Sequence, residues 1–185
     1  MRRHSTLLLL LALASLAAAL LVPRAGAQTA GVPSQLLGAF RYPHDLAHGR
    51  AVVEAAIEPR ILQLPGMFQG IARDRLRERT RIPRRVSIAS SEGRVEVTYE
   101  GERTVVVGSS VPGTTTVRNE EGREVRVTQQ LSGGWLEQVY EGPNGQMREL
   151  LSTEPDGATL HVDVTLSSER LGEPIRYRLD YLRER

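Results

Sequence analysis

The sequence predicts a mainly β protein: an antiparallel up-and-down β-barrel of about ten strands, with a helix pair inserted after the first strand. Three observations carry this. From Pro83 onward, short runs rich in Val, Ile, Leu and Tyr are separated by glycine in every connection, and their starts fall mostly 8 to 13 residues apart. The clearest runs alternate, with Leu160, Val162, Val164 and Leu166 on one face and His161, Asp163 and Thr165 on the other. Ahead of them, between Asp45 and Arg79, apolar residues recur every 3 to 4 positions, the period of helices. A meander this long must curl or close.

The chain opens with an address. Arg2, Arg3 and His4 precede an apolar run, Leu7 to Val22, broken only by Ser15; Pro23-Arg24-Ala25-Gly26-Ala27 follows. A positive start, an apolar middle and a small-x-small site predict a signal peptide over 1–27, cut after Ala27. The run of 16 residues is short of the roughly 20 that cross a bilayer. All 24 basic residues are arginine, and three lie in this segment, so its removal leaves 21 against 22 acids. A chain near neutrality, with no clustered basic patch, is not expected to bind nucleic acid. The absence of cysteine excludes a disulfide scaffold, a thiolate metal site and a lipid-anchoring cysteine. The expected protein is soluble and periplasmic or secreted.

Residues 28–35 read as a flexible leader, and 36–185 as one domain with its helical insert at about 45–80. Leu36 to Tyr42 reads as the first strand. Pro43 breaks it and Asp45 is placed to cap a helix. Val52, Val53, Ala56, Ile57, Ile61 and Leu62 predict an amphipathic helix over 50–62, bent or ended by Pro59 and Pro65-Gly66. A second helix, 67–79, carries Met67, Phe68, Ile71 and Leu76, and its charged half reads as a solvated face. The nine later strands are expected near 86–89, 94–99, 104–107, 114–118, 124–131, 135–141, 146–153, 159–167 and 175–182. Gln129, Gln138 and Glu149 fall on otherwise apolar faces. A filled core would reject unpartnered polar groups, whereas a barrel with a polar or water-containing cavity would accept them.

One strand, two helices and nine strands is the order of the fatty-acid-binding-protein branch of the calycins, relatives of the lipocalins, and this chain resembles a bacterial secreted member. Leu37-Gly38-Ala39-Phe40 is similar to the Gly-x-Trp signature that opens calycin barrels, with Phe for Trp. Ile82-Pro83 to Ser87 resembles the approach to the second strand. Gln146-Met147-Arg148-Glu149-Leu150 resembles the strand that supplies a ligand-carboxylate arginine, which implies an inward Arg148. Simple alternation, with Met147 and Leu151 inward, puts Arg148 outside. The closing strand departs from the family's Arg-x-Tyr, since Arg178 and Tyr181 are three apart and face opposite sides.

The ligand-lining candidates are Tyr140, Arg148, Tyr177 and Tyr181 in the barrel, with Met67, Phe68 and Ile71 on a helical lid. Tyrosine offers an apolar ring with a polar tip, and arginine a fork that fits a carboxylate. Each has a plainer reading, as barrel aromatics or an outward arginine paired with a neighbouring strand. Trp135, after Gly133-Gly134, suits packing at a barrel end. His44 and His48 have zinc spacing but no evident third ligand, so no metal is expected. Asn119-Glu120-Glu121-Gly122 reads as a solvated hairpin tip. No nucleophile elbow, phosphate loop or dinucleotide fingerprint occurs, and neither catalytic residues nor a cofactor are predicted.

These readings predict an exported, non-catalytic barrel that binds a small hydrophobic or amphipathic ligand, lipid or fatty-acid-like, by burying it. The alternative is a structural protein of the cell envelope, with a packed barrel and the helix pair as the surface for a protein partner.

Overall fold

The computed structural model describes residues 31–80, 82–118, 122–143 and 145–185. The predicted signal peptide, the start of the leader and the tip at 119–121 lie outside them. A 3-10 turn, Ser34–Leu36, leads into β1 (Gly38–Arg41). Helices α1 (Leu46–Ile61) and α2 (Gly66–Arg79) follow. The remaining strands are β2 (Arg85–Ser91), β3 (Arg94–Glu100), β4 (Val105–Ser110), β5 (Gly113–Arg118), β6 (Glu124–Ser132), β7 (Trp135–Gly142), β8 (Gly145–Thr153), β9 (Thr159–Ser167) and β10 (Ile175–Arg183).

All ten strands form one antiparallel sheet in the order β4-β3-β2-β1-β10-β9-β8-β7-β6-β5. The sheet curls into a nearly closed barrel whose seam lies between β4 and β5. Across the seam, Ser109 Oγ on β4 donates to Gln129 Oε1 on β6 at 2.6 Å. Alternation decides the rest. Inward positions are apolar on almost every strand, and outward ones carry ion pairs such as Arg178 with Asp163 at 2.7 Å. The β3–β4, β5–β6, β7–β8 and β9–β10 connections gather at the end where β1 runs out toward α1.

The interior is not uniformly filled. Val97, Val107, Val127, Gln129, Leu136, Leu151, Leu160 and Tyr181 are 0% exposed, which leaves no water-sized void beside them. At the helix-bearing end Val105, Val117, Val125, Tyr140, Met147 and Leu166 are only half-buried. The barrel is therefore packed in one half and open in the other, along the arc from β4 to β9.

Helix α1 covers the opposite arc. Gly49, Val53, Ile57 and Ile61, each four apart, form one buried stripe and pack toward β10. Burying each of its three branched side chains contributes about 1.5–3 kcal/mol. Gly49 permits the close approach, since a Cβ there would meet Ile82 Cγ2 at 2.8 Å and the Tyr42 hydroxyl at 3.1 Å. The helix starts at Leu46, four residues earlier than the apolar spacing predicts, and Pro59 lies inside it rather than ending it. The proline removes one N–H donor, and only two helical residues follow it.

Asp45 is the cap that the sequence predicts, its Oδ1 accepting from His48 N at 2.8 Å. Asp45→Ala is expected to cost about 1 kcal/mol by thermal unfolding. An unchanged midpoint would show that the first turn is held by packing instead. Helix α2 buries no residue. It is held through Arg73 to Glu58 at 2.6 Å and Arg77 to Glu54 at 3.0 Å, while Arg50 Nη1 donates to the carbonyls of Arg77 and Thr80.

Candidate functional site

The open half of the barrel has a polar floor. Tyr99 on β3 and Gln138 and Glu149 on adjacent β7 and β8 reach across the bore from opposite walls. The Tyr99 hydroxyl lies 2.6 Å from Gln138 Oε1 and 2.7 Å from Glu149 Oε2. Tyr140, two residues along β7 from Gln138, brings its hydroxyl to 2.8 Å from Gln138 Oε1 and 3.4 Å from Glu149 Oε2. The β7–β8 hairpin sets this up, pairing Gln138 directly with Glu149 and Tyr140 with Met147. Glu149 is half-buried and Tyr99 is 8% exposed, so the cluster sits where the packed half meets the open one.

Burial, and then the Glu149 charge, push the Tyr99 hydroxyl well above its ordinary range, and the Tyr177 hydroxyl is raised by the same two causes. Both remain neutral hydroxyls at any physiological pH. Gln129 Nε2 and Gln138 Nε2 are buried without hydrogen-bond partners. The predicted inward polar residues at 129, 138 and 149 are thus inside the barrel. They are not spread along a water-filled cavity, because two of them bridge its walls.

Each predicted lining residue can now be placed. Tyr140 and Tyr177 face inward at the open half, Tyr177 at 9% exposure. Tyr181 also faces inward but is fully buried, its ring 5.4 Å from that of Tyr42, as part of the core. Arg148 points the other way, contrary to what the family resemblance implies. Its Nε donates to Glu137 on the outer wall. Alternation is the reason, with Met147, Glu149 and Leu151 taking the inward positions of β8.

Met67, Phe68 and Ile71 do not line the interior and are 79%, 53% and 54% exposed. Residues 68 and 77 are nine apart, about 180° around a helix, so the face that Arg77 pins to α1 is opposite the apolar one. The inner lining of the helical region is Val53, Ile57 and Ile61 of α1 instead. Trp135 sits beside the β6–β7 turn at 40% exposure. The His44 and His48 rings are 4.3 Å apart, and no third ligating side chain joins them among the described residues.

Tyr99 is the residue that the sequence reading missed. Its signal was available in Val95, Val97 and Tyr99, which share a face, but a pattern along one strand does not say what lies across the barrel. Arg183 is the other. It is the single arginine at an inward position among the described strand residues, and it stacks over Phe40 at 4.5 Å from the ring centroid. Its guanidinium donates to the carbonyls of Gly157 at 2.6 Å, Leu37 at 2.7 Å and Gln35. It closes the packed end, each of its three nitrogens donating to a backbone carbonyl.

Two clefts open on the rim. One of about 430 Å³ lies between the β7–β8 turn and the β9–β10 loop, lined by Gly142, Gln146, Ser167 and Pro174. The other, of about 580 Å³, lies where β1 meets α1, lined by Tyr42, His44, Arg84 and Glu100. None of the four floor residues lines either cleft.

No protein-family model and no curated protein matches the sequence. Solved structures do match the fold. A fatty-acid-binding protein of Echinococcus granulosus is 9% identical with a TM-score of 0.54, over 83% of this chain and all of its own. A Schistosoma mansoni fatty-acid-binding protein, solved with arachidonic acid, is 13% identical with a TM-score of 0.54, over 84% of this chain and all of its own. A secretory abundant heat soluble protein of Ramazzottius varieornatus is 10% identical with a TM-score of 0.55, over 82% of this chain and 97% of its own. At such identities the likeness is one of architecture: the chain has the fold of the fatty-acid-binding-protein barrels, with ten antiparallel strands and a helix pair after the first.

Proposed function

We propose that this protein is an exported, non-catalytic carrier that holds one small apolar or amphipathic molecule in the open half of its barrel. The observation that carries the reading is the floor of Tyr99, Gln138, Tyr140 and Glu149, polar groups facing a half-buried apolar wall of Val105, Val117, Met147 and Leu166. That is the chemistry of a small-molecule site, an apolar lining with a few convergent polar groups. The fatty-acid-binding proteins that share the fold support it by analogy. The packed lower half limits the ligand's length, because a long chain would have to displace the bridge between Tyr99 and Glu149. Burial of the ligand's apolar surface contributes about 25 cal/mol per Å². Export rests on the predicted signal peptide.

Native mass spectrometry of the freshly purified protein, before and after a delipidating wash, tests the reading. A defined extra mass that the wash removes is the expected result. A bare mass that takes up nothing from a mixed lipid and haem panel would overturn it. One observation favours a second reading, a packed barrel that binds a protein partner through α2. That helix buries nothing and exposes Leu62, Met67, Phe68 and Ile71 around its start.

A further inference from the structure

We propose that the free face of α2 pairs with the same face of a second copy of this chain, the two helices running parallel. The proposal does not depend on the carrier reading, and it names the occupant of the helix surface on which the second reading rests.

The face is defined by what α2 turns inward. Gln69, Ala72, Arg73 and Leu76 repeat every three or four residues and are half-buried. On the other side, Met67, Phe68 and Ile71 are exposed in the first half of the helix. Asp74, Arg75, Glu78 and Arg79 continue the same exposed stripe through the second half. It is apolar at its start and charged with both signs at its end.

Those charges have no counterpart within the chain. Of the four arginines of α2, Arg73 and Arg77 reach Glu58 and Glu54 on α1. Arg75, Arg79, Asp74 and Glu78 make no hydrogen bond or ion pair with any described residue.

Their arrangement is complementary to itself in one orientation. Taking Ile71 as the midline, Phe68, Arg75 and Arg79 lie about 40–80° to one side, and Met67, Asp74 and Glu78 about 20–60° to the other. Two parallel helices set opposite sides together. Phe68 then meets Met67 and Ile71 of the second copy, and Arg75 stands level between its Asp74 and Glu78. Antiparallel helices set like sides together, arginine against arginine and acid against acid, which is unfavourable. A membrane surface is a poorer occupant. Interfacial helices carry basic polar faces, whereas Asp74 and Glu78 would meet anionic headgroups beside the arginines. The contact is small, under the ~1,200 Å² of a stable interface, so the pair is reversible and forms at high protein concentration.

Sedimentation equilibrium of the purified full chain, from about 10 to 500 µM in low salt, tests this. A monomer–dimer equilibrium is expected, and Phe68→Ser should weaken it at least fivefold. Arg75→Glu and Glu78→Arg should each weaken it at least fivefold, since each sets like charges against each other on both sides of the pair. An equimolar mixture of those two variants restores opposite charges on both sides, and should pair within about threefold of the unmodified chain. All three substitutions are at exposed positions, so folding is not at stake. A monomer at every concentration overturns the proposal. If that monomer floats with phosphatidylglycerol vesicles, the face belongs to a membrane; if it does not, the face belongs to a different protein. Association that either charge variant strengthens, or that the mixture fails to restore, also overturns it, by placing the contact in another orientation or on another surface. None of these outcomes bears on ligand uptake, so the carrier reading stands or falls separately.

Discussion

Phe40→Ala is expected to destabilise the barrel by about 3–5 kcal/mol, the cost of removing a fully buried aromatic ring. Phe40 is 0% exposed and pairs with Val86 on one side and Arg183 on the other, so it stands where β2, β1 and β10 meet. Above it the Arg183 guanidinium ties the 3-10 turn and the β8–β9 turn to β1 through three carbonyls. Truncating the ring removes the surface on which that guanidinium rests. In a domain of this size each kcal/mol moves the unfolding midpoint by roughly 2–4 °C, so a fall of about 10 °C is expected. Arg183→Ala should also destabilise, by leaving those carbonyls without a donor. The two losses should be less than additive by about 1 kcal/mol, the coupling of a cation to a ring face. A Phe40→Ala midpoint within 2 °C of the unmodified protein would mean that the packed end is not the keystone described above.

The strands of this fold were legible because glycine marks their ends and alternation marks their faces. All nine runs after Pro83 are strands, displaced by a few residues, as where 104–107 becomes Val105–Ser110. The elements misread are those whose cause is not periodic. Leu46 to Gly49 carries too little apolar pattern to announce a helix, yet Asp45 caps one and Tyr42 packs beneath Gly49. Leu36 belongs to a turn under the barrel, not to β1. Arg148 shows how a resemblance and a pattern can conflict. Matching a family's arginine needs the register correct to one residue, and an error of one reverses every face of the strand. The alternation of Met147, Glu149 and Leu151 needs only the local pleat, and it gives the observed orientation.

The site was legible in fragments. Gln138 and Glu149 stood out as polar residues on apolar faces. Their direct pairing follows from the turn at Gly142 to Gly145, since positions equidistant from a tight turn must face each other. What no local pattern could supply is Tyr99, four strands away through the seam, because contact across a bore depends on how far the sheet curls. The exposed face of α2 had the same difficulty. Which of its residues are apolar is plain from the sequence, but which side meets α1 is decided by Arg73 and Arg77 finding Glu58 and Glu54.

Arg148→Ala should carry the other large effect, and its dependence on pH identifies the cause. Glu137 is 6% exposed although it sits on the outer wall, because Arg148 and Gln130 lie over it. Burial alone would raise its carboxyl; the hydrogen bonds from Gln130 and Arg148 outweigh that and lower it below the ordinary carboxylate range. A carboxyl lowered on folding stabilises the native state above its unfolded value, about 4.3. That contribution is lost as pH falls through the lower, folded value. In Arg148→Ala the charge-assisted partner is gone and burial is less opposed, so the Glu137 carboxyl should rise and the buried charge becomes a cost at neutral pH. The expected loss is about 1–3 kcal/mol at pH 7, less than for a fully enclosed pair because Arg148 is itself half-exposed. The difference from the unmodified protein should shrink as pH falls below the ordinary carboxylate range toward the lowered folded value of Glu137. Chemical denaturation at pH 7 and pH 3.5 reads this directly. Equal losses at the two pH values would place the effect of Arg148 in the packing of its aliphatic stem over β7 rather than in its charge. Arg148→Lys separates the two further, since it keeps a stem and a charge but loses the planar fork. It should recover only part of the neutral-pH stability.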